Sequence, residues 1–191
     1  NISQGSVLEA GKAVLSTGGP VSNIGLALHI LGMPTRLMGK IGNDLFGQTI
    51  FQLLSAYDTG LTRGMIIAID ESSSYSILLK NVGDGRVVVH APGCNTTFSA
   101  DDVAYELLEG TGLFHFGYSP LMMRMYKRNG QELANMFQRV KSLSVTTSLD
   151  LSFSNPVNNT SQAEWQGILS TTLPSVDIFL TGIEELLSLL R

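Results

Sequence analysis

The chain has 191 residues, a net charge of −4, and 43% hydrophobic against 15% charged residues. That apolar share builds a core and excludes a disordered chain, and the length suits one domain. With no basic run longer than Lys127-Arg128 and no apolar stretch long enough for a membrane span, neither nucleic acid nor membrane is expected as a partner.

Taken in chain order, LSTGGPVSNIGLALHILG at 15–32 comes first, with flexible glycines leading into Ile24, Ala27, Leu28 and Leu31 on one helical face. Gly32 and Pro34 supply a helix stop. A strand is expected over 35–42. Asp44 caps the next helix, whose apolar stripe is Phe46, Ile50, Leu53, Leu54 and Tyr57. A turn at 58–60 precedes a strand over 61–70. Residues 73–91 hold two β-rich runs around Asp84-Gly85, a hairpin signal that suggests a lid or edge flap.

Alternation then resumes. Ser99 and Asp102 form a capping-box pattern that opens a helix through Leu108, stopped at Gly110. A strand follows over 113–118, then a helix over 130–143 with Leu133, Met136, Phe137 and Val140 on one face. Next come a strand over 144–151, a polar loop with Pro156, a helix over 163–173, a strand over 176–180 and the start of another helix. Strand–helix alternation with short connections predicts an α/β fold, a wound and mainly parallel sheet with helices on both faces. In such sheets ligands bind where strands end and helices begin, here the loops at 16–23, 42–44, 117–120, 150–156 and 181–184.

The single cysteine, Cys94, excludes an internal disulfide and a multi-cysteine metal site, and fits a reducing, cytoplasmic setting. The N-terminus shows no signal-peptide pattern, so Asn95-Thr96-Thr97 and Asn159-Thr160-Ser161 are read as chance glycosylation matches. The run from Gly5 to Ala13 is one residue too long for a Walker loop and has Ala at the hydroxyl position. No G-x-G-x-x-G follows a strand. His29, His90 and His115 are isolated and read as packed residues, and Cys94 has no base that can be assigned to it. Asp101 and Asp102 suit a helix's first turn, whereas Asp150 sits at a strand's carboxyl end. The metal site stays unassigned. Gly18, Gly19 and Asn23 leave two readings open: a tight turn with a helix cap, or a site where a polyol meets backbone amides at a helix start.

The stretch GGPVSNIGLALHILGMPTRLMGKIGNDLFG resembles the first signature of the PfkB (ribokinase-like) carbohydrate kinases. Gly18, Gly19, Asn23, Gly32 and Gly42 occupy its stations, and Gly39, Gly42, Asp44, Phe46 and Gly47 match its G-x-x-G-x-D-x-F-G element. Val21 and Gly25 depart from it. The likeness extends along the chain, with PGCNTTFSADDV similar to the segment after the lid. VDIFLTGIEELLSLL is similar to the strand and helix of the Asn-x-x-Glu motif, although Gly182 stands where the Asn is usual.

The resemblance implies ATP-dependent phosphorylation of a sugar hydroxyl, with ATP and Mg2+ as cofactors and a small sugar as substrate. The alternatives are a nucleoside kinase of the same family and a non-catalytic sugar-binding or regulatory module on the fold. It implies substrate binding by Gly18, Gly19 and Asn23, with Lys40, Tyr118 and Asp150 as further candidates, and Glu185 on the cofactor side. It also implies a β lid drawn from about 1–16 and 73–91, and a homodimer formed through that lid. The family's second signature, roughly D-T-x-G-A-G-D with the catalytic Asp, does not occur in the 191 residues. The chain is therefore expected to be a partial ribokinase-like domain spanning 1–191, with its catalytic base beyond the end.

Overall fold

In the computed structural model, residues 7, 9, 11–80, 86–151 and 162–190 are described. The Asp84-Gly85 turn, the Pro156 loop, the Asn159 tripeptide and most of the first ten residues lie outside them. Residues 11–18 form no strand, so among the described residues the expected lid is represented by a β hairpin alone.

Pro20 opens the first helix with φ −62. A wide π turn, Val21–Gly25, runs directly into α1, Leu26–Ile30. The stop is as expected: Gly32 takes φ 82 and donates to the His29 carbonyl at 2.9 Å, while Met33 donates to Leu28 at 3.0 Å. The buried face is not the expected one. Val21 and Leu26 pack against Leu37, Leu54 and Leu61, Ser22 and Gly25 are buried, and Leu31 is 78% exposed. A π turn takes more residues than an α turn, so it rotates the stripe that a 3.6-residue period places on Ile24, Ala27, Leu28 and Leu31.

The strands β1, Met38–Gly42, and β2, Gly64–Ala68, pair in parallel and are joined by α2, Leu45–Ser55. Leu54 is the fully buried residue of the α2 stripe; Phe46, Leu53 and Tyr57 stay partly exposed. The expected strand over 61–70 is shorter because Thr59–Arg63 coils into a 3-10 turn capped by Asp58. The hairpin β3, Tyr75–Lys80, and β4, Arg86–Ala91, is antiparallel.

The helix expected from Ser99 to Leu108 is not continuous. Its capping box is present, with the Ser99 N–H donating to Asp102 Oδ2 at 2.8 Å. Propagation stops at Val103, which turns extended (φ −82, ψ 124) and buries its side chain, leaving the 3-10 turns Ala100–Asp102 and Tyr105–Leu108. Gly110 then takes φ 71, as a stop should.

The second parallel sheet has the order β5, β6, β7: Leu113–Gly117, Thr146–Asp150 and Ile178–Leu180. Its helices are α3, Met123–Ser142, interrupted at Lys127–Gly130, then α4, Gln162–Thr172, and α5, Ile183–Leu190. Alternation along β5 sends Phe114 and Phe116 to one face, where both meet Phe137 of α3 edge-on at ring separations of 6.1 and 6.4 Å. Leu133, Met136, Phe137 and Val140 are fully buried there, with Leu149, Leu151, Trp165 and Ile168, as the helical period predicts. His115 and Gly117 point to the opposite face. No helix among the described residues is long and apolar enough to cross a membrane.

Candidate functional site

The strand ends of the second sheet meet the diglycine loop. Gly117, the last residue of β5, pairs with Asp150, the last of β6. A Cβ built on Gly117 would lie 2.8 Å from Pro20 Cβ and 3.7 Å from Asp150 Oδ2. Pro20 therefore rests directly on the strand end beside the Asp150 carboxylate, and a side chain at 117 has no room.

Gly18 and Gly19 lead into Pro20 and Tyr118 follows Gly117, so these candidates flank that contact. Gly19 adopts φ 74, which suits glycine, whereas a Cβ on Gly18 would meet nothing within 4 Å. Gly18 thus leaves open space beside backbone. Asn23 is exposed on the π turn that follows. Tyr118 is held in the left-handed region at φ 62, its N–H donating to the Asp150 carbonyl at 3.0 Å. A non-glycine residue there costs about 1 kcal/mol, so the flanking contacts must over-determine it. The 3-10 turn Ser119–Leu121 with its buried Pro120 does so.

The second motif has a different task. Asp44 caps α2 by accepting from the Gly47 N–H at 2.8 Å, and it also accepts from the Ser73 N–H and hydroxyl, each at 2.7 Å. Burial pushes its carboxyl up, but these donors together outweigh that and hold it below the usual range. A Cβ on Gly42 would lie 2.2 Å from Glu71 O, and one on Gly47 2.0 Å from Gly42 O. Phe46 stacks on Tyr75 with ring centroids 4.5 Å apart. The G-x-x-G-x-D-x-F-G element is thus the socket that grips the hairpin root.

Lys40 is held in this socket. Its ammonium pairs with Glu71 Oε1 at 2.7 Å and donates to Thr97 Oγ1 at 3.0 Å, and Thr97 donates to Glu71 in turn. The Lys40 side chain is 12% exposed. The Lys40 hydrogen bond is the main reason the Glu71 carboxyl is held down. Glu71 precedes β3 and Thr97 follows β4, so one cation ties both hairpin stems to β1.

Glu185 accepts from the Gly182 N–H at 2.7 Å and from the Thr181 hydroxyl at 3.2 Å, closing the N-terminus of its own helix. Among the described residues no group of at least three His, Cys, Asp or Glu could hold a metal ion. Cys94 is buried, donates to the Lys40 carbonyl at 3.0 Å, and has its thiol pushed up by burial, the reverse of an activated nucleophile. Asp101 pairs with Arg139 at 3.5 Å, and Asp102 serves the cap that its position predicts. His90 is a cross-strand partner of Ser76 at 2.9 Å.

Three participants escaped the sequence reading: Pro20, Gly117 and the half-buried His115. His115 Nδ1 lies 3.0 Å from Ser148 Oγ, and its Nε2 is buried with no partner among the described residues. The glycine ending LFHFG was the available signal for a close approach.

No protein-family model matches the chain. It is similar to Fructokinase-1 of Zea mays, at 25% identity over 115 residues, which is 59% of this chain and 35% of that protein. It is also similar to Pseudouridine kinase of Escherichia coli K12, at 27% identity over 94 residues, 49% of this chain and 30% of that one. Among solved structures, the fructokinase of Xylella fastidiosa with bound ATP superposes with a TM-score of 0.70 at 19% identity, over 90% of this chain and 52% of that one. The chain thus spans about a third of those curated relatives and about half of the solved protein. The fold is the ribokinase-like α/β fold, and the relatives are kinases of small molecules.

Proposed function

We propose that the protein is an ATP-dependent kinase of a sugar hydroxyl and that the described residues form its sugar-holding side. The observation that carries this reading is the meeting of Pro20, Gly117 and Asp150, which sets the diglycine loop against a carboxylate at a strand end. In this reading the open face at Gly18 and the Gly19 and Asn23 positions meet the substrate's hydroxyls. The Asp150 carboxylate accepts from one of them, and Tyr118 forms the wall. Lys40 contributes by fixing the hairpin over the site.

Such a kinase acts by positioning: the attacking hydroxyl is held in line with the γ-phosphoryl while water is kept out. Mg2+, when bound with ATP, supplies charge neutralisation on the phosphates; no residue described here is assigned to hold it. The 191 residues contain no D-T-x-G-A-G-D motif, so base and nucleotide loop are assigned to none of them. We also propose that the hairpin pairs with a second copy. Ile77, Leu78, Leu79, Val87, Val88 and Val89 are all exposed on it, and a two-stranded hairpin is marginal alone.

The test is γ-phosphoryl transfer from ATP by the intact protein to D-fructose, D-ribose, 2-keto-3-deoxygluconate and pseudouridine. Turnover of a sugar supports the reading, and transfer to none of them overturns it. Preference for pseudouridine would favour the nucleoside-kinase reading, which the Escherichia coli relative suggests.

A further inference from the structure

We propose that His115 is a positioning residue for Asp150, making sugar binding sensitive to pH in the histidine range. The inference rests on the reading of the strand ends as a sugar site. Register gives the geometry: His115 pairs with Ser148 and Gly117 with Asp150, so both side chains of β6 lie on the His115 face, with Asp150 diagonally ahead. Ser148 Oγ fixes the ring through Nδ1 at 3.0 Å, and Ser148 is 2% exposed. That leaves Nε2 buried and unpartnered among the described residues. A buried imidazole nitrogen without a partner calls for an explanation.

The charges around the ring are few. Among the described residues, Asp150 is the charge that bears on it. At the paired positions β7 offers Ile178 and Leu180, and Tyr118 follows on its own strand. The helix behind Pro20 carries His29 as its only ionisable residue. Glu185, beyond β7, closes its own helix, and Lys40 is engaged by Glu71. Burial pushes the His115 pKa down and Asp150 partly restores it, the balance lying below the usual value. The ring is therefore neutral near pH 7 and does not draw on the Asp150 carboxylate, which in the proposed site meets a sugar hydroxyl. As pH falls through the histidine range the imidazolium forms beside Asp150, competes for its lone pairs and withdraws it from the sugar.

Two measurements on the intact protein decide this. In a histidine NMR titration, with signals assigned by single substitution of His29 and His90, Asp150→Asn should lower the His115 pKa by about one unit. An unmoved value overturns the proposal. In calorimetric titration with D-fructose, affinity should fall about fourfold between pH 7.5 and 5.5, within the tenfold ceiling that one pKa unit sets. His115→Asn, which keeps a group at the Nδ1 position for Ser148, should hold its affinity within about twofold over that range. An equal fall in His115→Asn overturns the proposal. Should fructose bind at no pH, the sugar-site reading fails, and the NMR arm still decides whether His115 and Asp150 are coupled.

Discussion

Pro20 lies against Gly117 so closely that a Cβ on the glycine would stand 2.8 Å from the proline's Cβ and 3.1 Å from its Cγ. The diglycine loop and the end of β5 thus share one contact surface, with Asp150 at its edge. Gly117→Ala must push Pro20 outward and with it Gly18 and Gly19. Sugar affinity is expected to drop at least tenfold while the melting temperature changes by only a few degrees, since Pro20 is only partly buried. Calorimetry and thermal denaturation on one preparation check both.

The hairpin register places Ile77 opposite Val89 and Leu79 opposite Val87, so these residues share one face. A charge on that face should be tolerated by the fold and not by an association through it. Val89→Lys is expected to shift the mass in light scattering from dimer to monomer at micromolar concentration. A monomeric wild type, or a dimer untouched by the substitution, contradicts pairing through the hairpin.

Lys40→Met leaves Glu71 and Thr97 without their cation at the hairpin root. Its cost is expected to be about 1–2 kcal/mol, a partly buried charged hydrogen bond lost, measured by urea unfolding. Amide exchange should quicken in β3 and β4 more than in β5 and β6. Uniform exchange across both sheets would remove Lys40 from its role as a clamp.

Asp177 is held down to about 2, first by the Lys141 hydrogen bond and then by the Thr147 N–H. Its folded-state pKa lies below the ordinary value of 3.8, so the stability it contributes is present above pH 4 and lost as pH falls toward 2. Asp177→Asn should flatten the acid limb of the melting-temperature profile in that window and leave its shape above pH 5 unchanged.

Much of the fold was legible because alternation and caps are local. Asp44, the Ser99–Asp102 box, Gly32 and the 133/136/137/140 stripe each declare themselves within a few residues. The π turn at Val21–Gly25 and the break at Val103 were hidden, because tertiary burial of Ser22, Gly25 and Val103 overrides local period. Nothing near Lys40 in sequence announces its partners Glu71 and Thr97. The contact of Pro20 with Gly117 likewise exists only after a parallel sheet brings distant loops to one edge. A glycine at a strand end was the trace that it left.

In the proposed site the sugar lies on the open face at Gly18. A Cβ there meets nothing within 4 Å, so Gly18→Val adds bulk to that space without disturbing the fold, unlike a side chain on Gly19 at φ 74. Calorimetric titration of D-fructose into the intact wild type and Gly18→Val at pH 7.5 is the most direct measurement. The wild type is expected to bind and the variant to lose at least tenfold in affinity, with matching melting temperatures. Equal affinity in both proteins would contradict that placement of the sugar.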